Sequence, residues 1–280
     1  MTTVVIDRPL WIVGPQRSGS TIFARCIANH EDVCLTVHGK LLYYILHWCD
    51  HLNADPSHFR LDEMVHSLRR MPVEGVVSNH EEWVTLVDRV GRSIIYNESI
   101  DLVNRMKMFW SSVYYELSPS ATVYGDKYNE YVLYLNAIES LFPDSRYIFV
   151  HRDPVDTCKS MLRSFSDRPW SPNTMATALV KWSRWVQAWI NFRAKIPQER
   201  YLEVRFEEMI ENPIGVFSQA TQFLQICCTQ VLLQACRDQV RTPEAFERSE
   251  NLRWSGMSDE AEDVLQKTAV ALGYRIRNSR

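Results

Sequence analysis

The segment "WIVGPQRSGST" combines a short apolar run with two glycines and two hydroxyl side chains at the spacing of a phosphate-binding loop. Gly14 and Gly19 are separated by four residues, and Ser20 and Thr21 follow directly. The nucleoside-triphosphatase form of this loop, G-x-x-x-x-G-K-[ST], has a lysine where this chain has Ser20. An arginine, Arg17, lies three residues before that place. The spacing predicts an anion site whose positive charge comes from a different position.

The expected ligand of this loop is an anion other than a magnesium-bound triphosphate. A strand that enters a glycine-containing turn and then a helix points several backbone N–H groups, and the positive end of the helix dipole, at a bound anion. Without the lysine, however, the outer phosphate of a triphosphate loses its main charge contact. The loop therefore favours another phosphorylated ligand.

A second candidate anion site lies in "YIFVHRDPVDTCKS". A buried strand delivers Arg152 and Asp153 at its carboxyl end, Pro154 suits a first helical position, and Ser160 lies on the helix that follows. The guanidinium of Arg152 offers paired donors that match phosphate oxygens, so Arg152 and Ser160 could jointly bind a second phosphate. Asp153 either orients Arg152 or caps the helix.

Five short, mostly apolar runs predict the strands that would hold both motifs. They are "LWIVG" from Leu10, "VCLT" from Val33, "ATVYG" from Ala121, "RYIFVH" from Arg146 and "RYLEVRF" from Arg200. Apolar strands that alternate with helices are typical of parallel strands buried on both faces. The predicted fold class is α/β: a phosphate-loop-like three-layer fold with a central parallel sheet, helices on both faces and a helical lid insertion.

That insertion is the stretch from about residue 40 to residue 119, which shows helical spacing and no clear strand. We interpret it as an acceptor-side layer within a single domain of residues 1–280. Its aromatic and methionine side chains are expected to form core more than a substrate pocket. They are Tyr43, Tyr44, Trp48, Trp83, Met106, Met108, Phe109 and Trp110.

The overall composition argues against several kinds of partner. The 280 residues carry 31 Lys and Arg against 34 Asp and Glu, so no basic field is available for a nucleic-acid backbone. Seven cysteines without a C-x-x-C pair argue against a disulfide framework or a thiolate metal site. No signal-peptide pattern and no apolar run of roughly 20 residues is present. We expect a cytoplasmic protein with no metal, no nucleic-acid partner and no membrane span.

The loop "GPQRSGST" and the later "RDPVDTCKS" together resemble the two nucleotide signatures of the sulfotransferases that use 3′-phosphoadenosine 5′-phosphosulfate (PAPS). The similarity continues through "RYLEVRFEEMIENP", "ENLRWSGMS" and the C-terminal "LGY". The resemblance covers most of the chain outside the helical insertion. It implies PAPS as the sulfonate donor, 3′,5′-diphosphoadenosine (PAP) as the product, and no metal requirement.

The resemblance also implies which residues bind the donor. Arg17 would contact the bridging and leaving oxygens of the phosphosulfate, and Arg152 and Ser160 would bind the 3′-phosphate. Phe206 stands at the place of an adenine-side aromatic residue that is often tyrosine in the family. By placement alone, the basic residues near the C-terminus would close on the 3′-phosphate. The complete implied donor set is Arg17, Ser18, Gly19, Ser20, Thr21, Arg152, Ser160, Phe206, Arg248 and Arg253.

Three residues are implied in the transfer step itself: Arg17, Lys127 and His38. Lys127, in "GDKYNEY", matches a family lysine that is commonly followed two residues later by proline, and Asn129 replaces that proline here. The position of a catalytic glutamate in the tyrosylprotein branch of the family falls on His38. An imidazole has a suitable pKa for a general base. Glu31 and Asp126 remain alternatives for the base.

The resulting hypothesis is a sulfotransferase that moves a sulfonate from PAPS to a hydroxyl, or less readily an amine, of a small molecule or glycan. One alternative is a phosphate-loop kinase of a small metabolite, which would need Mg²⁺ and prefer ATP. A second alternative is a catalytically silent protein that retains the nucleotide pocket. The sequence does not define the acceptor.

Overall fold

Six strands form one sheet in the computed structural model, which describes residues 4–48, 60–70, 73–75, 77, 79–240 and 257–275. Along the sheet the strand order is β3-β2-β4-β1-β5-β6. Five strands run parallel, and β3 pairs antiparallel with β2 at one edge. The strands are β1 Leu10–Val13, β2 Val33–Val37, β3 Glu74–Gly75, β4 Val123–Lys127, β5 Arg146–His151 and β6 Tyr201–Arg205.

The strand order places the chemistry-bearing loops at one end of the sheet. β1 is central, between β4 and β5, and the chain leaves β1 toward β2 on one side before β5 and β6 add to the other. The crevice outside the carboxyl ends of the strands, where this order reverses, is the usual ligand site of a doubly wound sheet. The segments after β1, β2, β4, β5 and β6 all begin there.

Helices cover both faces of the sheet, and each face has its own hydrophobic core. One core includes buried side chains of α2 to α8 and α12, and the other includes those of α1, α9, α10 and α11. The helices are α1 Ser20–Ile27, α2 Leu41–Trp48, α3 Leu61–Arg69, α4 His80–Ile94, α5 Leu102–Leu117, α6 Leu135–Leu141, α7 Pro154–Ser164, α8 Met175–Arg193, α9 Phe206–Glu211, α10 Pro213–Leu224, α11 Gln230–Gln239 and α12 Asp259–Ala271.

The predicted three-layer α/β fold is confirmed, with one local difference. All five predicted strands are present, whereas β3 was not predicted and makes the sheet mixed. This strand is only two residues long, Glu74–Gly75. Hydrophobic alternation has no meaning over two residues, so the sequence pattern carries no signal for it.

The stretch between β2 and β4 contains α2 to α5 and divides into core and pocket residues. Trp83, Met106, Phe109 and Trp110 have at most 1% of their surface exposed, as the sequence suggested. Trp110 stacks on Tyr114 and packs beside Trp11 of β1, which joins this layer to the sheet. Tyr43 and Tyr44 are only partly buried and line the pocket described below.

Candidate active site

A pocket of about 930 Å³ opens at the carboxyl ends of the parallel strands. Its wall is built by the segments that follow β1, β2, β4, β5 and β6, together with the loop between α7 and α8. Residues contributed by these segments include Gln16, Arg17, Gly19, Ser20, Thr21, His38, Lys40, Tyr43, Tyr44, Tyr128, Asn129, Glu130, Arg152, Ser160, Phe165, Arg168, Trp170 and Phe206. The two predicted anion motifs therefore meet in one cavity.

The loop after β1 needs its two glycines because of its backbone shape and close contacts. Gly14 has φ of 148°, and a Cβ there would lie 2.1 Å from the carbonyl oxygen of Val150. Gly19 has φ of 91°, and a Cβ there would lie 2.2 Å from Cδ2 of Phe206. α1 begins directly after Gly19, so the first amides of the helix face the pocket. Local backbone requirements thus explain both glycines of the predicted anion loop.

Arg17 extends from this loop to the second motif. Its Nε donates a hydrogen bond of 3.0 Å to Oγ of Ser160, and its guanidinium lies 5.6 Å from the ring centre of Phe165. Partial burial, and then the neighbouring Arg152 cation, lower the pKa of Arg17. Two cations that repel one another across a pocket are stabilised when an anion lies near both. The residues predicted for the 5′ and 3′ ends of the donor are therefore direct neighbours.

Arg152 lies at the corner between β5 and α7, with 13% of its side chain exposed. Its guanidinium is 3.8 Å from the carboxylate of Asp156 and 4.7 Å from the ring centre of Phe206. Of the two roles considered for Asp153, the structure shows the cap: its Oδ1 accepts the backbone N–H groups of Val155 and Asp156. Arg152 is thus oriented mainly by Asp156 and Phe206.

The C-terminal "LGY" segment supports the same corner. Glu207 accepts the backbone N–H of Asp153 at 2.8 Å and the hydroxyl of Tyr274 at 3.0 Å. That hydroxyl also lies 2.9 Å from Nδ1 of His151, and burial lowers the pKa of His151 to about 3. Neutral His151 and the Glu207 carboxyl group therefore connect the segment at Tyr274 to the Arg152 corner.

His38 follows β2 directly and lines the pocket. Its backbone N–H donates to the carbonyl oxygen of Lys127 at 2.9 Å, and the edge of its ring faces Tyr128. Burial lowers the pKa of His38 to about 3, and the cations Lys127, Lys40 and Arg25 contribute in the same direction. The imidazole is therefore neutral near pH 7, with a free nitrogen lone pair, but in the unliganded pocket it is a weaker base than the near-neutral imidazole that the sequence predicted.

Lys127 is fully buried behind the pocket wall and is absent from its lining. Its ammonium group donates to Oγ1 of Thr21 at 2.9 Å and to Oδ1 of Asn129 at 2.7 Å. The amide nitrogen of Asn129 in turn donates to the Gly14 carbonyl and to Oγ of Ser20. Asn129 stands where the family that the sequence resembles commonly has proline. Its side chain thus links Lys127 to the phosphate-binding loop. Burial lowers the pKa of Lys127 to about 7.

The remaining predicted residues lie in different environments. Ser18 is fully buried, and its Oγ has no hydrogen-bond partner within the described part of the chain. Glu31 precedes β2 and so lies at the opposite end of that strand from His38. Asp126 is fully buried and accepts four hydrogen bonds from protein groups. Arg248 and Arg253 lie outside the described residues.

A group of pocket residues that the motifs did not predict forms an aromatic wall, which we define as Lys40, Tyr43, Tyr44, Tyr128 and Glu130. The ring centres of Tyr43 and Tyr128 are 5.2 Å apart at a steep angle, and Tyr44 lies edge-on to Tyr43 at 5.6 Å. The Lys40 ammonium lies 4.9 Å from the ring centre of Tyr128. Burial lowers the pKa of Lys40, and the Glu130 carboxylate opposes that shift.

The loop between α7 and α8 closes another side of the pocket. Phe165 and Trp170 pack at 4.9 Å between ring centres, and Trp170 keeps 52% of its surface exposed. The ammonium of Lys181 lies 5.0 Å from the Trp170 ring centre and donates to Oε1 of Gln16. No motif and no periodic signal in the sequence identified these aromatic residues as pocket lining.

The described residues show no helix that is long and apolar enough to cross a membrane. They also contain no group of three or more His, Cys, Asp or Glu side chains arranged to hold a metal ion. The pocket lining combines cations, hydroxyls and aromatic rings with the imidazole of His38 and the carboxylates of Glu74 and Glu130.

Comparison with solved structures shows the fold. The sulfotransferase domain from the olefin synthase of Synechococcus PCC 7002 superposes with a TM-score of 0.61 at 17% identity, covering 99% of both chains. The sulfotransferase domain from the curacin biosynthetic pathway gives 0.61 at 18% identity, covering 98% of this chain and 100% of that one. Sulfotransferase STF9 from Mycobacterium avium gives 0.59 at 16% identity, covering 98% and 79%.

Comparison at the sequence level identifies the family. No curated protein sequence matches the chain. The model of the sulfotransferase family, however, matches residues 9–230, which include both anion motifs, His38, Lys127 and the strand that ends before Phe206. Because this match spans well over half of the 280 residues, the chain belongs to the sulfotransferase family.

Proposed function

We propose that this protein transfers a sulfonate group from PAPS to a hydroxyl, or less readily an amine, of a small molecule or glycan in the cytoplasm. The observation that carries the proposal is the meeting of Arg17, Arg152 and Ser160 in one pocket, with Arg17 bonded to Ser160. A nucleotide with phosphate groups at both its 3′ and 5′ ends presents anions to both motifs at once. ATP presents its phosphates only at one end.

The residues of the pocket fit such a donor. The Phe206 ring lies close to Gly19, and the Arg152 guanidinium is 4.7 Å from its ring centre, which puts an apolar platform next to the cations. The Oγ of Ser18 lies inside the phosphate-binding loop without a partner among the described residues, but Ser18 is fully buried and is not part of the pocket lining. The cations of the pocket, Arg17 and Arg152, are thus the groups matched to an anionic nucleotide.

The environment of Thr21 argues against the kinase alternative. In triphosphate-binding loops the hydroxyl at this position binds Mg²⁺. Here Oγ1 of Thr21 accepts a hydrogen bond from the Lys127 ammonium, so a divalent cation at the hydroxyl would lie beside a positive charge. The buried ammonium instead places positive charge directly behind Thr21 without a metal ion. This supports a metal-independent donor.

In the proposed step, an acceptor oxygen forms a bond to sulfur as the bond from sulfur to the 5′-phosphate oxygen breaks. The electron pair of the broken bond leaves with the phosphate, and the proton of the acceptor hydroxyl passes to the imidazole of His38. Arg17 and the amides at the start of α1 stabilise the leaving phosphate. Lys127 provides positive charge from behind Thr21, at the transferring sulfonate. Neutral His38 has a vacant nitrogen for the proton.

The acceptor would enter from the side of the aromatic wall. This wall presents ring surfaces and hydroxyl groups from Tyr43, Tyr44 and Tyr128. The charges of Lys40 and Glu130 are of opposite sign. Ring faces and hydroxyls together suit a neutral hydroxylated small molecule or a sugar ring. This wall lies next to His38, where the accepting oxygen must be placed.

The proposal is tested by calorimetric titration of the purified protein with PAP and, separately, with ATP plus Mg²⁺. We expect PAP to bind tightly in the presence of EDTA and Mg-ATP to bind at least tenfold more weakly. Substitution of Arg17 or Arg152 by alanine should weaken PAP binding. Tighter binding of Mg-ATP would overturn the proposal in favour of a kinase.

A second measurement separates an enzyme from a silent binding protein. Transfer of labelled sulfonate from PAPS to a panel of phenols, aliphatic alcohols and amino sugars should give product with the wild-type chain. His38→Ala should abolish that product while PAP affinity is kept. PAP binding with no transfer to any acceptor class, and no hydrolysis of PAPS, would leave only the silent binding protein.

A further inference from the structure

The turn that presents His38 has an unusual backbone. His38 has φ of 64° and Lys40 has φ of 57°, so two side-chain-bearing residues on either side of Gly39 adopt the left-handed region. Such a conformation is uncommon for residues other than glycine and persists only where surrounding contacts hold it. The turn connects the end of β2 to the start of α2 and puts both His38 and Lys40 into the pocket.

Besides the hydrogen bond from the His38 N–H to the Lys127 carbonyl oxygen, two contacts that hold this turn come from one buried carboxylate on β4. Oδ1 of Asp126 accepts the backbone N–H of Gly39 at 3.2 Å, and Oδ2 accepts the backbone N–H of Lys40 at 3.0 Å. The same oxygens accept the hydroxyls of Thr36 at 2.8 Å and Tyr131 at 2.7 Å. Asp126 has no exposed surface.

The charge state of Asp126 follows from these four donors. Burial raises the pKa of Asp126, whereas the hydrogen bonds from Tyr131, Thr36, Lys40 and Gly39 oppose that shift. An ionised carboxylate accepts at both oxygens, while a protonated one must donate at one of them. All four partners here arrive as donors, so the arrangement is satisfied by the carboxylate form.

We propose that Asp126 is a positioning residue, whose carboxylate fixes the strained turn at residues 38–40 and thereby aims the His38 imidazole at the transferring group. The inference rests on the proposed function of His38 as the base. It assigns Asp126 a role through the backbone, because its oxygens lie behind the turn and are all engaged. It also removes Asp126 from the candidates for the base.

Sheet stability alone does not require this carboxylate. Thr36 and Asp126 are already opposite each other in the parallel ladder between β2 and β4, whose backbone pairing extends from Val33 to Val37. Two of the four hydrogen bonds go instead to amides beyond the end of β2. A carboxylate that served only the core would not need to reach the pocket turn.

Asp126→Asn is the direct test. The asparagine oxygen can still accept from Thr36 and Gly39, and the Tyr131 hydroxyl can rotate to accept from the new amide. The Lys40 N–H, however, would face an N–H group and lose its acceptor. We expect kcat for sulfonate transfer to fall about 10- to 100-fold while the dissociation constant for PAP changes less than about 2-fold. The ¹⁵N NMR signals of the His38 ring should shift in the PAP-bound protein.

Gly39→Ala provides a second route to the same turn without altering the carboxylate. A Cβ on Gly39 would lie 2.5 Å from Oγ1 of Thr36 and 3.2 Å from the Tyr114 hydroxyl, so the turn must move. This variant should reproduce the loss of kcat with PAP binding kept. The double variant should lose little more than either single variant, because both changes disturb one structural unit. Gly39→Ala alone also keeps the test available if Asp126→Asn does not fold.

Glu203→Gln is the matched control. Glu203 on β6 is a partly buried carboxylate that accepts from Trp189 and Arg193, and it is not part of the pocket lining. Its neutralisation should lower the melting temperature and leave kcat and the His38 signals unchanged. If Asp126→Asn behaved like Glu203→Gln, the positioning role would be wrong. Absence of PAP binding and transfer in the wild-type chain would instead reject the proposed function.

Discussion

The two halves of the pocket differ in their charge and in the types of residue that line them. The donor half, defined as the loop after β1 together with Arg152, Ser160 and Phe206, concentrates cations and helix amides around glycines with positive φ. The acceptor half, defined as the turn at residues 38–40 and the aromatic wall, pairs opposite charges among rings. There Glu130 opposes the effect of burial on Lys40. Arg25 and Glu74, which also line the pocket outside these two groups, contact each other at 2.6 Å.

This difference indicates what each half binds. Local backbone geometry holds the cations of the donor half at fixed positions. This excess of positive charge suits a polyanion of fixed shape. Balanced charge among ring faces leaves no net field for a strongly charged ligand and selects by shape and hydroxyl contacts. The donor half should therefore depend on single cations, whereas the acceptor half should depend on the placement of one base.

The largest effect should come from removing that base. His38→Ala is expected to lower kcat about 10²- to 10⁴-fold, the usual contribution of a general base, and to leave PAP affinity within about 2-fold. Steady-state kinetics and calorimetry on the same preparation measure both quantities. His80→Ala, at the start of α4 and outside the pocket lining, is the control and should change neither. A parallel loss of PAP affinity would mean that His38 belongs to the donor half.

Arg152→Ala should give the next largest effect. It should change PAP affinity, which belongs to the donor half, rather than kcat. Removing a hydrogen-bonded charged partner costs about 1.5 to 3 kcal/mol, so the dissociation constant for PAP should rise roughly 10- to 100-fold. Arg92→Ala in α4, whose partners are the exposed Asp62 and Asp88, is the matched control. Retention of full PAP affinity in Arg152→Ala would show that the second motif does not bind the 3′-phosphate.

The two halves also differ in how far the sequence predicts them. Gly14, Arg17 and Gly19 stand within one short segment, and their spacing alone identifies an anion loop. Arg152 and Ser160 likewise lie close together in the sequence, one just before α7 and the other within it. The structure places both in the pocket. Contiguous motifs are visible because backbone geometry links their residues before any tertiary contact forms.

The acceptor half lacks such a local signal. Tyr43 and Tyr128 lie on different segments and meet only because β2 and β4 are neighbours in the sheet. In the stretch that contains Tyr43, the spacing of the aromatic residues was indistinguishable from that of a core. Trp83 and Trp110 in the same stretch are indeed core. The role of Asn129 was equally hidden, since a substitution for proline reveals nothing about which loop the new amide will contact.

Gly19→Ala tests whether the donor half depends on close approach as well as on charge. The new Cβ would overlap Phe206 and keep an unfavourable positive φ, so we expect a loss of about 1 to 3 kcal/mol in the free energy of unfolding. PAP affinity should fall several-fold because the Phe206 platform moves. Chemical denaturation and calorimetry measure these changes.

Gly273→Ala separates the two causes. Gly273 also has a positive φ, 77°, but a Cβ there would meet no atom within 4 Å. This variant should carry only the backbone cost, about 1 kcal/mol, with PAP affinity unchanged. Equal behaviour of the two alanine variants would show that contact with Phe206 has no effect on the donor half.

Lys127 joins the two halves through its ammonium group, which donates to Thr21, and its carbonyl oxygen, which accepts the His38 N–H. The pKa of Lys127 is lowered to about 7 in the folded protein, against an ordinary value of 10.5. Between these values the unfolded chain binds more protons, so this group makes stability increase as pH rises from about 7 to 10.5. Below pH 7 both states are protonated, and the destabilising contribution is complete.

Lys127→Met should remove this pH dependence. The free energy of unfolding of wild type minus that of Lys127→Met should rise by at least about 1.4 kcal/mol, the equivalent of one pKa unit, between pH 7 and pH 10. Taking the difference cancels the opposite trend from buried thiols and phenols such as Cys34, whose pKa burial raises to about 12. A flat difference curve would mean that the Lys127 ammonium is as well solvated in the folded protein as in the unfolded chain. The two halves would then share no buried charge.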